Sequence, residues 1–227
     1  MPTLRGALQQ RREVVVVLKL LSHQLRTVGN VSPVLSERFQ RAAAWAAELH
    51  NDHERKGSTI PYVSHLFAVA SLVLEDGGDE DAAIAGLLHD AVEDHKTSFD
   101  EIAARFGEPV ADIVRECSDT EGEDIKPPWR QRKERYIAHV ATASHSAVRV
   151  STADKVHNAR ALLADYREVG DTLWTRFNPD AQSAETQLWY YDSLVAAFLT
   201  RTPDGRNAQE LARVVDELRG LALQGTV

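Results

Sequence analysis

Leu87-Leu88-His89-Asp90-Ala91-Val92-Glu93-Asp94 closes an apolar run with one imidazole and three carboxylates. On a helix, His89 and Glu93 are four residues apart, and so are Asp90 and Asp94, which gathers all four on one side within about a turn. Three acids at that spacing repel one another, and a divalent cation is the natural compensation. The stretch therefore reads as the metal-binding, water-activating centre of a helical domain.

The rest of the chain agrees with a helical reading. Its 227 residues are enough for one large domain or two small ones, and 43% hydrophobic with 26% charged residues is an ordinary globular composition. A net charge of −8 argues against a nucleic-acid partner, although a local metal and a few basic residues can still hold an anionic nucleotide. Cys117 is the only cysteine, which excludes an internal disulfide and a cysteine-rich zinc site and suits a reducing, cytoplasmic compartment. The apolar run Val14–Leu21 is interrupted by Lys19 and too short for a bilayer, so neither a membrane partner nor a targeting segment is expected.

Working outward, residues 10–27 balance β-prone valines against helix formers and are taken as helix. Ser36 caps a helix to about Asn51, and a polar loop then runs from Asp52 to Ile60. Pro61 opens a helix ending at Gly77-Gly78. Asp79 starts the helix that contains the opening stretch. Ser98 and Glu101 form a capping box, and Ser118 to Pro128 is an acidic loop that could serve as a flap. A long helix over Ser146–Tyr166 carries Asp154 and Asn158. Further helices follow at Ala181–Thr200 and Gln209–Leu223. The expected architecture is a single all-α bundle of about 8–10 helices. Residues 1–35 would form an N-terminal helical extension, and 36–227 the main domain with its C-terminal helices from about 180.

A metal site needs donors beyond one helix. His65 lies 24 residues before His89, and Asp154 lies 65 residues after it. His65, His89, Asp90 and Asp154 would give two imidazoles and two carboxylates, a set that suits a divalent transition metal without separating manganese, iron and zinc. His50 and His53 are rival ligands. Glu93 and Asp94, one turn on, are then placed to take a water's proton or protonate a leaving group. His95, His139, His145 and His157 read as structural or exposed, as does the basic face Arg130, Arg132, Lys133 and Arg135. Trp174 and Trp189-Tyr190-Tyr191 read as core, and Arg160 as a salt-bridge partner.

The pattern of His65, then His89-Asp90, then Asp154 resembles the HD superfamily of metal-dependent phosphohydrolases. Arg55-Lys56-Gly57, Pro61-Tyr62-Val63-Ser64-His65, the stretch 87–94, Phe106-Gly107 and Ala153-Asp154-Lys155-Val156-His157-Asn158-Ala159-Arg160 follow in family order across roughly residues 36 to 166. In detail they are most similar to small alarmone hydrolases and the hydrolase domain of RelA/SpoT-type enzymes. The resemblance implies removal of the 3′-pyrophosphate from ppGpp or pppGpp, with one divalent ion, usually manganese, held by His65, His89, Asp90 and Asp154. It implies that Glu93 and Asp94 handle the water and leaving group, that Arg55 and Lys56 face the base, and that Asn158 meets the nucleoside. The chain departs from the family after Tyr166 and at Ala161, where some relatives carry a substrate-contacting threonine. Alternatives are an HD phosphohydrolase acting on a 3′-pyrophosphorylated adenosine nucleotide, NADPH or a nucleoside phosphate, and a metal-bound nucleotide sensor. No synthetase domain fits beside the hydrolase in this length, and a homo-oligomer is compatible with the pattern.

Overall fold

The computed structural model describes residues 35–95, 97–118 and 127–224. The expected extension at 1–34 and the centre of the acidic loop, 119–126, lie outside them. Among the described residues the regular structure is helical, and the β pairing is a single isolated bridge between Glu54 and Pro61.

Helix α1 (Glu37–Leu49) begins where expected: Ser36 accepts from the Arg38 amide through its side chain, satisfying one orphan donor of the first turn. Next comes the polar loop, drawn into a hairpin by Arg55 N–H donating to Ile60 O at 2.9 Å and Tyr62 N–H donating to His53 O at 2.8 Å. Gly57 sits at φ +79° in the tip of that hairpin, a conformation that favours glycine. Helix α2 (Val63–Glu75) then carries His65 on its buried face.

Helix α3 (Glu80–Leu88) lies at the centre. Asp79 caps it by accepting from Ala82 N–H, and every residue from Ala82 to Leu88 is buried. A helix apolar all round has to be surrounded, and α3 is packed against α1, α2, the later helix α6 (Glu108–Cys117) and the long helix α8 (His145–Val169). Gly86 permits the close approach to α2: a Cβ there would meet Ala70 Cα at 3.3 Å. The structure corrects one expectation here. The apolar helix does not run through the opening stretch but ends at Leu88, turns at His89-Asp90, and resumes as the short α4 (Ala91–Asp94). Asp94 N–H still donates to Asp90 O at 2.9 Å, so the four-residue spacing survives the break.

Helix α5 (Phe99–Phe106) starts at the expected Ser98 cap, whose side chain accepts from Glu101 N–H, and α6 follows directly after Gly107. Helix α7 (Trp129–Val140) precedes α8, which Ser144 caps through Ala147 N–H. The span between α8 and the next helix forms two 3₁₀ segments, Gly170–Arg176 and Pro179–Ala181, that bury Leu173, Trp174 and Ala181. Helices α9 (Ala184–Arg201) and α10 (Arg206–Gln224) complete the described chain. The start of α10 is tied to the end of α2 by Asn207 Nδ2–H donating to Leu72 O at 2.9 Å. None of these helices is long and apolar enough to cross a membrane.

Candidate metal centre and substrate cleft

Four side chains from three elements meet beside the turn after α3. His65 comes from α2, His89 and Asp90 from the turn, and Asp154 from the middle of α8. Ring and carboxylate atoms of His65, His89 and Asp154 lie within 4.8 Å of one another. His65 Nε2 is 3.3 Å from Asp154 Oδ1, and His89 Nε2 is 3.8 Å from the same oxygen. Asp90 Oδ2 is 3.0 Å from His89 Nε2 and 3.7 Å from His65 Nε2. Donors about 2.0–2.2 Å from one ion stand about 3–3.5 Å apart, so these separations suit a shared cation.

The hydrogen bonds decide which ring nitrogen faces inward. His89 Nδ1 lies 2.9 Å from Gly86 O, and a carbonyl only accepts, so Nδ1 carries a proton and Nε2 faces the carboxylates. At His65 the logic runs through a neighbour. Arg55 Nη1 only donates, at 2.8 Å, so His157 Nδ1 accepts; His65 Nδ1, at 2.8 Å from the same atom, is then the N–H, and its Nε2 is left to face Asp154. Both imidazoles thus turn Nε2 toward carboxylates, with the far nitrogen anchored in the way metal-binding histidines are held. His89 Nε2 is buried and, despite its approach to Asp90, makes no hydrogen bond. Burial opposes a charge on His89, but Asp90 and Asp154 outweigh it and push its pKa up, marking the pocket as a place that stabilises positive charge. Burial likewise opposes ionisation of Asp90, yet His89 and His65 hold its carboxyl at about 2. The donor set therefore fits a divalent ion.

The surrounding residues are fully engaged. Tyr62 O–H donates to Asp90 Oδ2 at 2.5 Å, and burial beside that carboxylate pushes the phenol pKa upward. Asp154 Oδ2 accepts from Lys155 Nζ at 2.5 Å, its Oδ1 accepts from Asn158 Nδ2, and Arg55 Nη2 donates to Asn158 Oδ1 at 3.1 Å. His157 is held low, at about 4, by burial, His65 and Arg55.

A cleft of about 260 Å³ opens alongside, lined by Arg55, Lys56, Tyr62, Asn158, Ala161, Leu162, Phe177 and Tyr191. All three residues expected to meet substrate line it, and Tyr62 joins it to Asp90. Asp94 is exposed; desolvation and Asp90 raise its pKa, and its Oδ2 lies 3.7 Å from His53 Nδ1. His50 and His53 do not join the group around His89; they meet His95 in a separate cluster. The sequence reading gave no role to Tyr62, Lys155, Arg176 or Phe177: Tyr62 and Lys155 stood inside quoted motifs, whereas Arg176 and Phe177, both lining the cleft, carried no local signal. Arg160 pairs with Glu210 at 3.0 Å, as expected of a structural ion pair. Arg130, read as part of a solvated face, is exposed and also stacks its guanidinium 3.1 Å from the centroid of Trp189.

The comparisons with known proteins agree with this geometry. A family model described as an HD domain matches residues 42–177. The chain belongs to the HD-domain family. Within that family it is similar to guanosine-3′,5′-bis(diphosphate) 3′-pyrophosphohydrolase MESH1 of Xenopus tropicalis, 40% identical over 124 residues, covering 53% of this chain and 67% of the relative. The Mus musculus MESH1 is 32% identical over 187 residues, covering 80% of this chain and 94% of the relative. A solved structure described as a metazoan ortholog of SpoT that hydrolyzes ppGpp superposes with a TM-score of 0.66 at 25% identity, covering 83% of this chain and 98% of that one. The HD domain thus spans α1 through the first 3₁₀ segment, and contains every residue of the centre and most of the cleft wall.

Proposed function

We propose that this HD-domain protein hydrolyses the 3′-pyrophosphate of ppGpp and pppGpp, releasing pyrophosphate with GDP or GTP. The observation that carries the reading is the adjacency of two features. The buried His65, His89 and Asp154, with the partly exposed Asp90, stand beside a cleft walled by Arg55, Lys56 and Asn158, and Tyr62 belongs to both. Relatives named for this activity match over 53% and 80% of the chain.

In this reading His65, His89, Asp90 and Asp154 hold one divalent ion; the donor set suits a divalent transition metal, and the family resemblance favours manganese. When bound, such an ion polarises a phosphoryl oxygen and acidifies water. The chain's own residues do the rest. Arg55 and Lys56 bring positive charge to the cleft, with Arg55 held in place by His157 and Asn158. Glu93 and Asp94 follow the metal ligands by one turn on α4. One takes the proton of the attacking water as its oxygen bonds to the phosphorus next to the 3′-oxygen. The other protonates that 3′-oxygen as the P–O bond breaks. Asp94's raised pKa suits the second task. A cytoplasmic location agrees with the lone Cys117.

The test is direct. Incubating the protein with manganese and ppGpp should release equimolar GDP and pyrophosphate. No release of GDP, alongside turnover of another nucleotide, would retain the hydrolase and overturn the alarmone assignment.

A further inference from the structure

A second group of imidazoles stands apart from the centre described above. His50 is the residue after α1, His53 lies in the following loop, and His95 follows α4. Their ligand atoms lie within 4.8 Å of one another. His50 Nδ1 is 3.2 Å from His53 Nδ1 and 3.1 Å from His95 Nε2. Nitrogens about 2.0–2.1 Å from a tetrahedral zinc ion are about 3.3–3.4 Å apart, so the spacing matches.

Hydrogen bonding alone satisfies this trio badly. His50 is 1% exposed and turns its Nδ1 toward both of the other rings. At Nδ1 it meets two other ring nitrogens at once. With a proton there, it donates to one of them and turns the N–H away from the other; without one, its single lone pair faces two nitrogens. One cation takes a lone pair from each ring. Tyr62 stiffens the arrangement by stacking on both His50 and His53, with centroids 5.1 and 4.3 Å away. Asp94 Oδ2, 3.7 Å from His53 Nδ1, offers an oxygen as a fourth donor.

We propose that His50, His53 and His95 form a second metal site, selective for a late first-row divalent ion such as zinc. Three imidazoles favour such ions, whereas the mixed imidazole–carboxylate centre accepts a harder one. None of the three histidines belongs to the first centre, although Asp94, the fourth donor, is also the acid of the proposed reaction.

The test uses the full-length protein, stripped with a chelator, loaded with Zn²⁺, freed of excess metal and assayed by atomic absorption. Wild type should retain two zinc ions per chain. The partly exposed pair His53→Gln/His95→Gln should retain one, and Asp90→Asn/Asp154→Asn should also retain one. Two ions retained by His53→Gln/His95→Gln would overturn the proposal. If wild type retains a single ion, the same variant decides. Its loss there supports the histidine site and counts against the first centre; its retention overturns the histidine site. A Co²⁺ titration gives a second readout: the visible band of a three-nitrogen site should be present in wild type and absent from His53→Gln/His95→Gln.

Discussion

Replacing Asp154 by asparagine removes a charge from an enclosed ion pair at the centre while keeping its shape. Asp154 Oδ2 and Lys155 Nζ are 2.5 Å apart, with side chains only 9% and 17% exposed. Each shifts the other in the direction of its charged form: burial opposes ionisation of both, but Lys155 holds Asp154 well below the usual carboxylate range, and Asp154 raises Lys155. Asp154→Asn leaves a buried ammonium without its counter-charge, a change that costs about 3–5 kcal/mol. For a domain of this size each kcal/mol moves the melting midpoint by about 2–4 °C, so the variant should melt about 6–20 °C lower. The assay is thermal unfolding in excess EDTA, which separates the ion pair from any metal contribution. Asp154→Asn/Lys155→Met, which removes both charges, should recover more than half of the loss. A single variant as stable as wild type in EDTA, or a double variant no better than the single, would refute the reasoning.

Three further outcomes are expected. Glu93→Gln should retain metal and bind substrate but lose about 10²–10⁴-fold in kcat, as for removal of an acid–base group; unchanged turnover would remove Glu93 from the reaction. Tyr62→Phe deletes the hydroxyl that orients Asp90 while keeping the ring, and should weaken manganese binding about 10–100-fold in a competition titration, with the fold unchanged by circular dichroism. Asp94→Asn should raise the unfolding midpoint at pH 7 even as it lowers activity. Desolvation and Asp90 raise the folded pKa of Asp94, so the folded state favours the protonated acid. The ionised form costs stability above that pKa, and the cost fades as pH falls from it toward the lower, unfolded value, below which it is gone. A midpoint at pH 7 no higher than that of wild type would contradict this.

Much of the fold depends on near neighbours and can be read from sequence. Ser36, Asp79 and Ser98 each cap a helix through an amide two or three residues on, a contact that local spacing alone predicts. The apolar run from Ala82 to Leu88 marks a helix with no face for water. The break at His89-Asp90 was not legible, because continuous helical spacing and a one-turn interruption leave the same residue pattern.

For the site, the sequence by itself determined the donor types and, through family order, which of them belong together: His65, His89, Asp90 and Asp154. Tertiary packing decided how they face one another. The inward Nε2 of His65 is set by His157 and Arg55, which come from two elements separated by 102 residues. Tyr62 reaches Asp90 only because the loop before α2 folds back as a hairpin. His50 and His53, rivals for the first metal in sequence, are drawn instead to His95 by the end of α1 and the turn after α4. The physical reason is common to all three: capping and periodicity act over a few residues along the chain, whereas coordination depends on the directions of ring nitrogens that only helix packing brings to one point.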